Sequence, residues 1–395
     1  MKISFYDPPR LQGKSLKSAI PFHILLKPVG SGCNLKCDYC YYPQHNEQKA
    51  APMLKAMLEP FIKNYIAAQP AYTKEINFVW QGGEQLLAGL DFYKRAIALQ
   101  QKYAPHGVRI INTLQTNATL LTPSWCRFLK QHDFVIGVSL DGPESIHDQY
   151  RHDRRGNSGS YASVIKGIAL LQQFDIEFNI LTVVHDGVAH LGKEIYLHFV
   201  QLGIRYIQFQ PLMLEGDAIH QGFTLSANNW GLFLSSVYQQ WQASGHIGRV
   251  FVMNIEQVYS QYFTQVSSTC VHSERCGTNM MMETQGEIYA CDHQANQSHY
   301  LGQFNGQQGF SDFVEASISL PFGQNKSRRK ECQQCSVKMV CQGGCPAHLN
   351  QFGRNQLCEG YFAFFSLVLA PIRQYQRNAQ GVQHWRNAFL KNAVA

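Results

Sequence analysis

The pattern of apolar and polar positions divides the chain. Between residues 21 and 211, short apolar runs rich in β-branched and aromatic residues alternate with longer segments whose apolar positions recur at helical spacing. That alternation predicts parallel strands joined by crossover helices. Six strands are expected, over Phe22 to Leu26, Ile76 to Trp80, Arg109 to Leu114, Val135 to Leu140, Glu177 to Val184 and Tyr206 to Gln210. Helices are expected over Leu54 to Ala68, Asp91 to Tyr103, Pro123 to Gln131, Ala162 to Phe174 and Leu191 to Leu202. Six repeats suit an α/β fold built as an incomplete barrel rather than a closed eight-fold one. The expected organisation is an arm at 1–20, a partial barrel at 21–225, a helical connection at 226–265, a cysteine-rich domain at 266–360 and a C-terminal helix and tail at 361–395. The final helix reads from Gly360 to about Arg377.

In sheets of this kind chemistry gathers at the carboxyl ends of the strands. Cys33 to Cys40 follow the first strand, Gln81 to Glu84 the second, Gln115 to Asn117 the third and Ser139 to Pro143 the fourth. The composition, 45% hydrophobic and 15% charged, is that of a globular chain. No apolar stretch follows the initial MKISFYDPPR, so a secretory signal is not expected and a cytoplasmic location is. The longest apolar run, Tyr361 to Ile372, is too short to span a bilayer. Twelve cysteines in a reduced compartment point to metal or redox chemistry rather than to disulfides. The net charge of +7 is spread out, and its local cluster at Lys326, Arg328, Arg329 and Lys330 reads as a solvated loop. Neither a nucleic acid nor a membrane is expected as a partner.

Residues 33–42 read CNLKCDYCYY, three thiols within eight positions. Four thiolates normally saturate a 4Fe-4S cluster, so three leave one iron open for a ligand. A zinc site with a borrowed ligand and three plain free cysteines are the other readings of the same residues. The spacing, set after a first strand and followed by an aromatic, resembles the radical SAM superfamily, whose TIM-type barrels are partial (β/α)6 structures. The resemblance implies that Cys33, Cys37 and Cys40 hold a cluster whose open iron is chelated by S-adenosylmethionine (SAM), and that reductive cleavage of SAM yields a 5′-deoxyadenosyl radical. It also implies SAM contacts at Gly82, Gly83 and Glu84, with the Glu84 carboxylate accepting from the ligand's ammonium. Ser139 and Arg151 would grip the SAM carboxylate, and Leu212 would offer backbone to the adenine.

From Cys270 to Cys358 the chain carries eight of its twelve cysteines among glycines and polar residues. A region so poor in continuous apolar pattern is expected to draw order from bound metal. Cys276 and Cys291 flank Gly286, and Cys332, Cys335, Cys341 and Cys345 follow at gaps of two, five and three residues, with Cys358 beyond. This arrangement resembles the SPASM domain, a module with two auxiliary 4Fe-4S clusters, while a pair of zinc sites is the alternative. The resemblance implies Cys270, Cys276, Cys291 and Cys345 on one cluster and Cys332, Cys335, Cys341 and Cys358 on the other, three clusters in all. Cys126, beside Trp125 and Phe128 in a helical segment, reads as a packing residue.

The segments CNLKCDYCYYP, WQGGEQLL, QTNATLL and SLDGPESIHDQYR, with CDH at 291–293, are similar to those of the anaerobic sulfatase-maturating enzymes over about residues 20 to 375. The family commonly has proline after Gly-Gly-Glu, where Gln85 stands here. The resemblance implies oxidation of a cysteine or serine in an unfolded sulfatase polypeptide to Cα-formylglycine without oxygen. Asp292 would be the base, Tyr42 and Gln81 would orient the substrate, and a low-potential donor such as flavodoxin or ferredoxin would supply electrons. A SPASM maturase making thioether or carbon-carbon crosslinks in a ribosomal peptide is a rival in the same class. A non-catalytic iron-sulfur carrier or zinc scaffold is the rival outside it.

Overall fold

The computed structural model describes residues 17–40, 42, 53, 55–156, 158–213, 223–324, 326–327 and 329–375. Most of the expected arm, Arg328 and the tail beyond 375 lie outside these residues. Six strands follow the expected runs: β1 (His23–Leu26), β2 (Glu75–Trp80), β3 (Arg109–Thr116), β4 (Val135–Ser139), β5 (Phe178–Val184) and β6 (Tyr206–Pro211). Four further strands complete the sheet: β7 (Phe251–Val252), β8 (Asn279–Met282), β9 (Glu287–Tyr289) and β10 (Tyr300–Gln303). The order is β10-β9-β8-β1-β2-β3-β4-β5-β6-β7. Pairing is parallel from β8 through to β7, and β8, β9 and β10 form an antiparallel meander on the edge beside β1.

Alternation along the strands gives each face its task. In β2, Ile76, Phe78 and Trp80 are buried beneath the covering helices, while Val79 and the following Gln81 line a cavity within the curved sheet. The helices fall where the periodicity places them. That over Pro123–Gln131 starts at Thr122, whose hydroxyl accepts from the Trp125 N–H, with proline at its first position. Within the barrel, the helix Glu144–Tyr150 lies outside the expected set, a short element within SLDGPESIHDQYR.

The cysteine-rich half is joined to the barrel more closely than expected. β8 extends the sheet beside β1 with His23 opposite Asn279 and Leu26 opposite Met282. The helix Phe310–Ser319 packs on the helix Lys55–Ala68, with the rings of Phe310 and Phe61 5.4 Å apart. Residues 279–319 are therefore ordered by apolar burial, not by metal alone. The helical connection consists of Ala227–Ala243 and Met253–Thr264. The last helix, Cys358–Tyr375, lies against the first of these. Gly231 and Gly360 meet there, and a Cβ on Gly231 would fall 2.8 Å from the Gly360 Cα.

Candidate active site

The loop after β1 is pinned at both ends. Leu35–Cys37 forms a short antiparallel ribbon with Arg151–Asp153, which sets Cys37 opposite Arg151. The Gly82-Gly83 turn docks on the loop's first residues: the Gly83 N–H donates to Gly30 O at 2.8 Å and the Glu84 N–H to Gly32 O at 2.8 Å. A Cβ on Gly83 would fall 2.0 Å from Gly32 O, and Gly82 has φ +151, so both positions require glycine.

Burial lifts the Cys33 thiol to about 11 and Cys37 to about 12; the nearby Cys40 adds to the rise of both, and Cys33 to that of Cys37. The same holds in the second half. Burial raises Cys291, Cys345 and Cys341 to about 12. Cys291 feels Cys345 and Cys270, Cys345 feels Cys270 and Cys276, and Cys341 feels Cys358, Cys335 and Cys332. All twelve cysteines are free thiols. Crowded, buried thiols that ionise poorly are the donor set a cationic iron cluster deprotonates and neutralises, so the residues fit such groups. Two imidazoles stand by Cys345, with His293 Nδ1 3.9 Å from its Sγ and His348 also within ligand distance of both. Cys126, fully buried in the helix Pro123–Gln131, stands apart as a packing residue.

The expected SAM contacts have different surroundings. Glu84 is fully buried and engaged by its own chain: Thr116 Oγ1 and the Leu86 N–H donate to Oε1 at 2.7 and 3.0 Å, and the Asn117 N–H to Oε2 at 2.8 Å. Three donors leave the carboxylate one further acceptor position for a ligand's ammonium. Its carboxylate clasps the ends of β2 and β3 together, and burial raises its pKa against those three donors. Arg151 is likewise committed: Nε and Nη2 donate to Asp141 at 2.7 and 3.2 Å, and Nη1 lies 3.9 Å from Cys37 Sγ. Tyr39 donates to the same Asp141. Arg151 thus braces the cysteine loop at the place where it is expected to meet the SAM carboxylate. Ser139 ends β4, and Leu212 follows β6 with its N–H donating to Val184 O at 2.8 Å. Gln85 is buried with neither end of its amide hydrogen-bonded among the described residues, a burden of about 1–3 kcal/mol where no ligand supplies a partner.

Of the remaining expected residues, Asp292 and Tyr42 meet around Lys27 at the seam between β1 and β8, and Gln81 lines the cavity of the sheet. Gln81 follows β2 and shares the cavity, about 980 Å³, with Thr113, Gln115, Asn179, Gln208 and Gln210. Asp292 opens the short turn after Cys291, and its Oδ1 lies 2.6 Å from Lys27 Nζ. Tyr42 donates to Glu283 Oε1 at 2.8 Å. Lys27, Glu283, Asp141 and Tyr39 were not singled out from the sequence. A lysine at the end of an apolar strand and an aspartate in an Asp-Gly turn carry no local sign of burial.

An open parallel barrel with a three-thiol loop after its first strand defines a radical SAM protein, and residues 28–190 match the family model of the Radical SAM superfamily. The chain belongs to the family of anaerobic sulfatase-maturating enzymes. It is 55% identical to the serine-type anaerobic sulfatase-maturating enzyme of Klebsiella pneumoniae over 95% of both chains. It is 29% identical to a cysteine-type enzyme of Clostridium perfringens (strain 13 / Type A), covering 91% of this chain and 99% of that one. The solved structure of native anSMEcpe with bound AdoMet and Cp18Cys peptide superposes with a TM-score of 0.80 at 27% identity, covering 91% of this chain and 99% of that chain. Among the described residues no helix is long and apolar enough to cross a membrane.

Proposed function

We propose that this chain oxidises a serine side chain of an unfolded sulfatase polypeptide to Cα-formylglycine without oxygen, in the cytoplasm. The observation that carries the reading is Asp292, a carboxylate held by Lys27 directly after Cys291 and beside the loop that continues from Cys40 to Tyr42. The serine preference rests on the likeness to serine-type enzymes, which is far higher than that to cysteine-type ones.

Cys33, Cys37 and Cys40 would hold the SAM-binding cluster. Cys270, Cys276, Cys291 and Cys345 would hold one auxiliary cluster, and Cys332, Cys335, Cys341 and Cys358 the other. The Gly82-Gly83 turn, Glu84, Ser139, Arg151 and Leu212 would border SAM. When bound, SAM and these clusters supply hydrogen abstraction and take up the electron left behind. The protein's own part is to place and deprotonate the substrate. Conversion of the CH₂–OH group to an aldehyde removes one hydrogen atom from Cβ, one proton from the hydroxyl and one electron. Asp292 would accept that proton as the general base. Gln81 and Tyr42 orient the side chain, and the polar groups of Gln81, Thr113, Gln115 and Asn179 in the otherwise mainly apolar cavity offer partners to the backbone of an extended polypeptide. A flavodoxin or ferredoxin would deliver the electrons that start the cycle.

Incubation of the reduced, iron-loaded enzyme with SAM and matched sulfatase-type peptides tests this by mass spectrometry. The serine peptide is expected to lose two hydrogens and to react with a hydrazide. A crosslinked product, or conversion of the cysteine peptide alone, would sink the reading.

A further inference from the structure

Lys27 is a lysine with 1% of its surface exposed. A buried ammonium carries a desolvation penalty of several kcal/mol unless it is paired. Here it is enclosed on three sides. Asp292 Oδ1 stands at 2.6 Å, Glu283 Oε1 at 3.6 Å and the ring centroid of Tyr42 at 4.2 Å. Tyr42 closes the ring by donating to Glu283 at 2.8 Å. The backbone dictates this meeting. Lys27 donates its N–H to Met282 O at 3.1 Å, continuing the β1–β8 register so that the residues just beyond both strands, Lys27 and Glu283, come side by side. The Gly82 turn closes the near side, where a Cβ would sit 3.4 Å from the Lys27 Cβ.

The four side chains come from four places: the end of β1, the loop after Cys40, the end of β8 and the turn after Cys291. We propose that Lys27 is a positioning residue that orients Asp292 and, through Glu283, Tyr42, so that proton acceptance stays in register with hydrogen abstraction. The inference rests on the reading of Asp292 as the base. One ammonium between two carboxylates leaves the group at net −1. Contacts to both carboxylates and to the Tyr42 ring fix the direction from which Lys27 holds Asp292. Asp292 alone, without Lys27, would face Glu283 as a like charge and turn away from it. A planar guanidinium would impose a fork that this three-sided enclosure does not present, whereas an ammonium serves several acceptors as a point charge.

The test is a single-turnover comparison of fully loaded enzymes, with iron content and SAM affinity measured alongside. Lys27→Met is expected to keep its iron, bind SAM unchanged and form 5′-deoxyadenosine within about twofold of the parent, while aldehyde per 5′-deoxyadenosine falls about tenfold or more. An unchanged aldehyde ratio overturns the proposal. If Lys27→Met loses iron, Glu283→Gln decides. That change keeps the partner's shape and removes its charge, and is expected to lower the ratio by roughly threefold with 5′-deoxyadenosine unaltered; no change there overturns the proposal. Asp292→Asn, run in parallel, separates the two readings. Full aldehyde yield from that variant ends the role of Asp292 itself. Lost yield there beside full yield from Lys27→Met ends only the role of Lys27.

Discussion

Two stretches of the molecule, the barrel strands β1 to β6 and the segment 324–358, hold their shape by different means. In the barrel the strands bury large apolar side chains at alternate positions, with Asn112 and Thr116 flanking Leu114 in β3, and Phe78, Trp80, Leu114, Ile136 and Ile180 are wholly inaccessible. In 324–358 the helices Lys330–Gln333 and Lys338–Cys341 are single turns. Few apolar side chains are buried there, among them Val337, Val340 and Leu357. Isolated turns of that length do not persist in water. What the segment has instead is four thiols in mutual reach, three of them within it and Cys358 at its end. Apolar area orders the first region, and whatever neutralises the thiols orders the second.

Removing iron should break the comparison open. Anaerobic chelation is expected to speed amide hydrogen exchange by roughly 100-fold or more in 324–358 and in the loop 33–40, while the helices covering β2 to β5 keep their protection. Equal protection in both regions after iron removal would mean that 324–358 is held by packing, and the contrast would fall. Residues 279–319 should follow the barrel, since Phe304, Phe310 and Phe313 belong to its core.

The barrel also has a place where order hangs on charge. Asp141 and Arg151 are both buried and paired, with Tyr39 donating to the same carboxylate. Burial opposes ionisation of Asp141, but the Arg151 guanidinium prevails and holds its carboxyl below the usual range. Asp141→Asn keeps the shape and strands the guanidinium, and is expected to lower stability by about 3–5 kcal/mol in urea denaturation. Reductive SAM cleavage should fall with it, because Arg151 braces Cys37. A loss under about 1 kcal/mol would show that the site tolerates an uncompensated charge, against the usual penalty for breaking a buried pair.

The same contrast explains what the sequence disclosed. Strand and helix limits in the barrel agree with the periodicity to within a residue or two, since each apolar run ends at glycine, proline or a polar cluster that also ends the element. The three-thiol loop was legible for the same reason: its spacing is local. The β1–β8 pairing was not, because parallel neighbours so far apart in the chain share no local pattern. Lys27 and Glu283 were missed with it, each reading as the polar end of an apolar strand. Arg151 was placed at the correct loop, but its engagement by Asp141 depends on a tertiary contact that the run SLDGPESIHDQYR does not reveal. The three donors to Glu84 were not legible either, because they come from backbone turns and from Thr116 at the end of β3.

Cys126 gives the smallest expected effect and the cleanest control. It sits in the helix Pro123–Gln131, wholly buried, and burial alone accounts for most of the rise in its pKa. The other eleven cysteines lie in the loop after β1 or in the second half. If thiols in those places serve as ligands, replacing any one should lower the iron content. Cys126→Ala should leave iron content and SAM cleavage at parental values and lower stability by only about 1 kcal/mol, the scale of removing one buried heavy atom from a packed core. Iron quantification together with urea denaturation checks both halves of that expectation. Iron lost from Cys126→Ala while the barrel stays folded would tie this thiol to a cluster, and the division between packing cysteines and ligand cysteines would have to be redrawn.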